Sequence, residues 1–178
     1  MAIIAGKAGY GLIIALFSLS LSGCGLTQRV ADGTVSATKS LFYRQIKTLH
    51  LDIRAREAIN TSAAGIPLSV VVRIYQLKDN RNFDSADYQA LFTGDSEILA
   101  GDIIAQKDVW LQPGGSVAVD MPLDDAAKFI GVAAMFLEPD QKKNTWRVVL
   151  SRDELEPDTP HLIEVSGNTL TLLAVKDK

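Results

Sequence analysis

The run Leu68-Ser69-Val70-Val71-Val72-Arg73-Ile74-Tyr75-Gln76-Leu77 constrains this chain more than any other stretch. Its β-branched and aromatic residues fall on both alternating faces, as expected of a central strand buried on both sides. Such a strand needs neighbours, and the sequence supplies them. Leu49, Leu51, Ile53 and Ala55 alternate with His50, Asp52, Arg54 and Arg56, which sets one group on a core face and the other in water. Val109-Trp110-Leu111-Gln112, the turn residues Pro113-Gly114-Gly115, and the alternating Val117, Val119, Met121 and Leu123 read as strand, turn and strand. Residues 130–137 form a continuous apolar run of strand length in which Gly131 allows close approach. Residues 145–150 give another strand, and residues 161–165 and 169–175, joined by Ser166-Gly167-Asn168, give a hairpin.

One helix interrupts this β pattern. Asp84 suits its N-cap, Asp87 adds negative charge to the first turn, Tyr88, Leu91 and Phe92 share a face, and Gly94 can close the end. Ile98, Leu99, Ile103 and Ile104 continue the apolar spacing, either as a second short helix or as other core. Residues 124–128 suit a helical turn, and the charged, proline-bearing residues 151–160 cross the surface, with Arg152-Asp153-Glu154 as ordinary surface charge. About eight short strands with one helical excursion predict an all-β fold, an antiparallel β-sandwich. An α/β layout would require helices at regular intervals between strands. Trp110 and Trp146 read as core aromatics rather than a sugar-stacking pair.

The N-terminal part has a different character. Lys7 is its single charge, and the mostly apolar run over residues 10–21 is shorter than the ~20 residues a spanning helix needs, so it reads as an export signal. That run ends at Leu21-Ser22-Gly23-Cys24, which holds the only cysteine of the 178 residues. A lone thiol in an exported chain has no internal disulfide partner. Leu21-Ser22-Gly23-Cys24 resembles the bacterial lipobox. The resemblance implies cleavage before Cys24, a diacylglyceryl group on its sulfur and an acyl chain on its freed amine; two or three chains give a stable anchor. The expected division is a signal at 1–23, the lipidated cysteine and a small, polar tether at 24–47, and a β-sandwich domain at 48–178. Leu41, Phe42 and Ile46 suit a short helical stripe and a strand lead-in equally.

Composition excludes several function classes. The net charge is only −3 and there is no Lys/Arg block, which argues against nucleic acid as a partner. His50 and His161 lie far apart in sequence, Asp124-Asp125 lacks the spacing of a calcium loop, and no Gly-rich phosphate cradle precedes a helix. No cofactor, metal or small-molecule substrate is therefore expected beyond the lipid on Cys24. The best case for an enzyme is Gly94-Asp95-Ser96, which resembles the nucleophile motif of Gly-Asp-Ser esterases, with Asp158 and His161 as the orienting acid and the base. Those enzymes carry the serine after an early strand of a parallel sheet, whereas Ser96 follows a helix midway through an all-β pattern, so the expectation is a non-enzyme. His50 on the wet face of its strand reads as solvated, and His161 as the start of an exposed strand.

Between the first two strands lies Asn60-Thr61-Ser62-Ala63-Ala64-Gly65-Ile66-Pro67, longer than the two to five residues common in tight hairpins. Such a loop is either a plain connection with Ile66 tucked into the end of the sandwich or a contact surface. Here a family resemblance enters. The order of Cys24, the Gly65-Ile66-Pro67-Leu68 segment running into Val70-Val71-Val72-Arg73-Ile74-Tyr75-Gln76-Leu77, Phe83-Asp84, Pro113-Gly114, Ile130-Gly131-Val132-Ala133-Ala134 and Trp146-Arg147 is similar to the outer-membrane lipoproteins of bacterial type VI secretion systems, the TssJ or SciN family. The resemblance spans essentially everything after Cys24. It implies a transthyretin-like sandwich with added helices and no enzymatic activity. It implies an outer-membrane anchor facing the periplasm and, as partner, the periplasmic C-terminal domain of TssM within the TssJ-TssL-TssM membrane complex. It further implies that the loop at residues 60–67 contacts TssM, and that Gly25, in place of an aspartate after the cysteine, permits transfer to the outer membrane. A lipoprotein that chaperones or inhibits another envelope protein would share the same anchor and sandwich.

Overall fold

The computed structural model describes residues 46–93 and 97–174. Cys24, the leader, Leu41, Phe42 and the Gly94-Asp95-Ser96 triplet fall outside those residues. The strands are β1 (Thr48–Ile59), β2 (Val70–Leu77), β3 (Ile103–Leu111), β4 (Ser116–Pro122), β5 (Phe129–Ala134), β6 (Arg147–Ser151), β7 (His161–Gly167) and β8 (Thr169–Leu173). They form two four-stranded sheets in the orders β4-β1-β7-β8 and β3-β2-β5-β6. The alternating residues of β1 face inward as expected, with Leu49, Leu51 and Ile53 at most 1% exposed. They meet Val70, Val72 and Ile74 from the β-branched run, and the remaining core residues close around that layer.

The β-sandwich is as expected, but two features of its topology are not. The pairing of β1 with β7 is parallel, Leu51 opposite His161 and Ile53 opposite Ile163, whereas the other paired strands are antiparallel. Side-chain alternation is identical in both directions, so it carries no record of strand polarity. The segment around Pro113-Gly114-Gly115 is also no hairpin: β3 pairs with β2 and β4 with β1, so the chain changes sheets there. Gly114 adopts φ +70° at this crossing, and its N–H donates to the Arg56 carbonyl across 3.0 Å.

The single helix expected over residues 84–94 is two short ones, α1 (Arg81–Ser85) and α2 (Tyr88–Phe92), followed by α3 (Glu97–Ala100). Ala86 is extended, with ψ 142°, and Asp87 rather than Asp84 is the cap, its carboxylate accepting from the Ala90 N–H across 2.9 Å. A short acidic side chain that can bond the backbone ahead of it favours a cap over a helix interior, and this one starts a new helix. The helices lie over the outer face of the second sheet. Phe83 meets Tyr75 edge-on at 5.4 Å between ring centres, and the Tyr75 hydroxyl donates to the Leu91 carbonyl. Arg147 donates to the carbonyls of Phe83, Asp84 and Ala86, pinning the end of α1. Gly131 does permit close approach: a Cβ there would lie 2.8 Å from the Phe83 ring. Burial among these rings pushes the Tyr88 hydroxyl up to about 12, and desolvation lowers the Arg147 guanidinium below its usual value.

Arg152 is not surface charge. It is 1% exposed and donates to the carbonyls of Ile46 (2.9 Å), Asp124 (2.6 Å) and Ala127 (2.9 Å). The capping box of Ser151 and Glu154 forms a single 3-10 turn, Arg152–Glu154, that turns the arginine inward. Ile46, two residues ahead of β1, is 4% exposed and packs with the core. His161 is likewise buried, at 6% exposure, because it falls on the inward face of β7 with Ile163 and Val165, beside its parallel partner Leu51.

Candidate partner-binding surface

The sandwich has two chemically distinct ends. At the start of β1 polar anchors dominate. Arg152 holds the Ile46 carbonyl, the Leu123 N–H donates to the Lys47 carbonyl, and buried Gln76 bridges the sheets by donating to the Pro122 carbonyl (2.7 Å) and accepting from the Asp124 N–H (2.9 Å). At the other end of β1, 12 residues and roughly 40 Å away, the character is apolar.

That second end is built around Asn60. Its backbone adopts φ +46°, a left-handed value that asparagine tolerates better than most residues. Its side chain is turned inward, 4% exposed, donating to the Ser69 carbonyl (3.0 Å) and accepting from the Leu137 N–H (2.7 Å). Both ends of the loop and the segment after β5 are thereby tied to one amide. Beyond Asn60 the loop closes on itself: the Ser62 N–H donates to the Ile66 carbonyl, and the Ile66 N–H to the Ser62 hydroxyl. Gly65 supplies φ +78° at the turn. Thr61 and Ser62 are half-buried, while Ala63, Ala64, Gly65, Ile66 and Pro67 face solvent. Ile66, one of the two alternatives for which was burial in the sandwich end, is 59% exposed.

The large apolar side chains that are exposed among the described residues are Ile66, Leu68, Trp110, Met135 and Leu137. They converge on this end. Val71 pairs with Trp110 on β3, and the Met135 N–H donates to the Val71 carbonyl, so Trp110, Val71 and Met135 form one cross-strand row on the outer face of the second sheet. Leu137 and the segment bearing Leu68 are held by Asn60 and by the Leu68 N–H bond to the Ile59 carbonyl. The next row inward is polar but self-neutralised. Arg73 makes a two-pronged bond to Asp108 at 2.6 and 2.8 Å, and that carboxylate raises the guanidinium's proton affinity.

Trp110, expected in the core, is 72% exposed, whereas Trp146 is fully buried against Tyr88 at 5.0 Å. Strict alternation with buried Val109 and Leu111 puts Trp110 outside, a signal hidden by all three residues being apolar. Met135 and Leu137 were also expected to be buried, within a strand over residues 130–137. β5 ends at Ala134, and the Phe136 N–H bonds back to the Ala134 carbonyl, which turns Phe136 in and its two neighbours out.

Of the esterase-motif residues, Asp158 and His161 are described, and Ser96 lies outside the described residues. Asp158 is exposed, and the buried His161 Nε2 has no hydrogen-bond partner. His50 is a half-exposed partner of Asp120, with Nδ1 2.5 Å from the carboxylate. No group of three His, Cys, Asp or Glu side chains among the described residues is placed to hold a metal ion. No helix among them is long and apolar enough to cross a membrane.

Comparison with known proteins places this sandwich among type VI secretion components. A chain 91% identical, in a solved structure described as the T6SS protein TssM C-terminal domain from EAEC, superposes with a TM-score of 0.68; the match covers 73% of this chain and 100% of that one. A chain 95% identical, from a structure described as a type VI membrane complex, gives a TM-score of 0.70 over 72% of this chain and 99% of that one. The T6SS lipoprotein TssJ1 from Pseudomonas aeruginosa is 26% identical, with a TM-score of 0.61 over 74% of this chain and 98% of its own. A search of curated proteins found no match. The family model described as type VI secretion lipoprotein, VasD, EvfM, TssJ, VC_A0113 matches residues 47–168, nearly the whole described sandwich, and the chain belongs to that family.

Proposed function

We propose that this chain is the outer-membrane-anchored lipoprotein of a type VI secretion membrane complex, lipidated at Cys24, and that its loop at residues 60–67 holds the periplasmic C-terminal domain of TssM. The observation that carries this reading is the polarity of the domain. The chain enters at the polar end, where Arg152 grips the Ile46 carbonyl, and the exposed apolar residues gather at the opposite end. A lipid at Cys24 and a partner at Ile66 then act on opposite poles of one rigid sandwich. The occurrence of chains 91% and 95% identical in structures described by TssM and by the type VI membrane complex supports the choice of partner.

The mechanism is adhesion rather than catalysis. Acyl chains on Cys24 hold the outer membrane, each buried CH₂ contributing about 0.8 kcal/mol. Gly25 after the cysteine favours transfer to that membrane. A tether between lipid and domain tolerates misalignment of the two membranes, and multiple copies strengthen a modest single contact. Two measurements test the reading. Labelling cells with a radiolabelled fatty acid marks the wild type and not Cys24→Ala. Co-purification from detergent extracts recovers the TssM periplasmic domain with the wild type, and less of it with Ile66→Ser at unchanged stability. Absence of TssM from the wild-type eluate overturns the proposal.

A further inference from the structure

We infer that the docking surface for the TssM domain is a three-element platform of which the 60–67 loop is only one edge, and that the exposed indole of Trp110 is its main anchor. This rests on the proposed function and extends it to residues outside the loop. Three observations carry it. The row Trp110, Val71 and Met135 is built on paired strands, so the indole is presented from a rigid sheet rather than from a turn. Asn60 locks Leu137 and the 68–69 segment beside that sheet, so the loop edge and the sheet edge are held in fixed register by two hydrogen bonds. The charged row nearest the sheet part of the platform is already engaged: Arg73 is bonded to Asp108, and Arg147, opposite Ala133, to the carbonyls at the end of α1.

A partner fitted to this surface is an apolar protein face with a recess for one indole. An exposed tryptophan offers more apolar area than any other side chain, and tryptophan leads the residue types whose truncation breaks interfaces. Ile66 at the loop and Leu137 behind Asn60 act as the surrounding ring that excludes water. β3 is also an edge strand, with one row of backbone groups unpaired by the sheet, so it can add polar contacts beside the indole. The occupant is TssM because chains nearly identical to this one occur in structures described by that protein and by the membrane complex. The platform also lies at the pole away from the tether's entrance.

The experiment titrates the full lipidated chain in detergent with the purified TssM periplasmic domain by calorimetry. Trp110→Ala is expected to weaken binding by about 30-fold or more. Its melting temperature stays that of the wild type, because the side chain is 72% exposed. The chain has two tryptophans, and the second is fully buried. The fluorescence of wild type minus that of Trp110→Phe therefore isolates the platform, and it shifts to the blue when the domain is added. Binding of Trp110→Ala within threefold of wild type, with Ile66→Ser still impaired, overturns the platform and leaves the loop contact standing. Failure of the wild type to bind overturns both. A blue shift with anionic phospholipid vesicles but not with the TssM domain overturns the inference in favour of a membrane contact.

Discussion

Asn60→Ala is the most instructive perturbation of this molecule, because one side chain holds the loop and the segment after β5 together. The substitution removes two hydrogen bonds, to the Ser69 carbonyl and from the Leu137 N–H. Each is worth about 0.5–1.5 kcal/mol net. It also places a Cβ-bearing residue with no polar compensation at φ +46°, at a cost of about 1–2 kcal/mol relative to a right-handed backbone. The expected loss is roughly 2–5 kcal/mol, a drop of ~1–2.5 M in the urea midpoint of a domain whose m-value is about 2 kcal/mol/M. Asn60→Gly separates the two causes. It loses the same bonds but not the backbone compatibility, so it is expected to recover about 1 kcal/mol relative to alanine. Asn60→Asp keeps an acceptor for Leu137 but faces the Ser69 carbonyl with a second acceptor, and falls below glycine at neutral pH. Equilibrium urea unfolding followed by near-ultraviolet circular dichroism reads all three. An alanine variant within 0.5 kcal/mol of wild type, or alanine and glycine variants of equal stability, would refute this account of the bracket.

Three further outcomes follow from the packing. Gly131→Ala drives a methyl to 2.8 Å from the Phe83 ring and is expected to cost about 1–3 kcal/mol. Combined with Phe83→Leu it should cost less than the sum of the two, a coupling read from a denaturation double-mutant cycle. Arg152→Met strands the carbonyls of Ile46, Asp124 and Ala127 and is expected to destabilise by roughly 3–5 kcal/mol. Hydrogen exchange would then rise first at the start of β1. Burial raises the Tyr88 phenol to about 12 from an unfolded value of 10, so the stability it contributes is full below pH 10 and is lost as pH rises toward 12, by roughly 2–3 kcal/mol. Phenolate absorbance at 295 nm should show two tyrosines, Tyr75 and Tyr88, that titrate only as the domain unfolds, and Tyr88→Phe should remove one of them.

Much of the sandwich was legible because period and burial coincide. The alternation of β1 and the β-branched run of β2 fall where the structure has them, and Gly131 marks the close approach of Phe83. What escaped has physical reasons. The parallel contact of β1 with β7 leaves no trace in alternation. Arg152 looks like surface charge because only tertiary structure supplies the carbonyls that make its burial tolerable. At the candidate surface, the loop's length and composition drew attention to residues 60–67. Trp110, Met135 and Leu137 read as core in the sequence because hydrophobicity alone does not say which apolar side chains lack a neighbour. Asn60 belongs to the loop by sequence, but its side chain points inward and serves as the loop's foundation.

The placement of β1 has a mechanical consequence. The chain enters at one end of this strand and the loop leaves at the other, and the strand is flanked on both sides, by β4 and β7. A pull between the tether and a partner seated on the loop end is directed along the strand. It loads two ladders of backbone hydrogen bonds together, in shear, rather than peeling them apart one at a time. Edge placement would have exposed the same strand to unzipping. With Arg152 clamping the residues before it and Asn60 those after it, the strand is fixed at both ends and suited to carry force along its length.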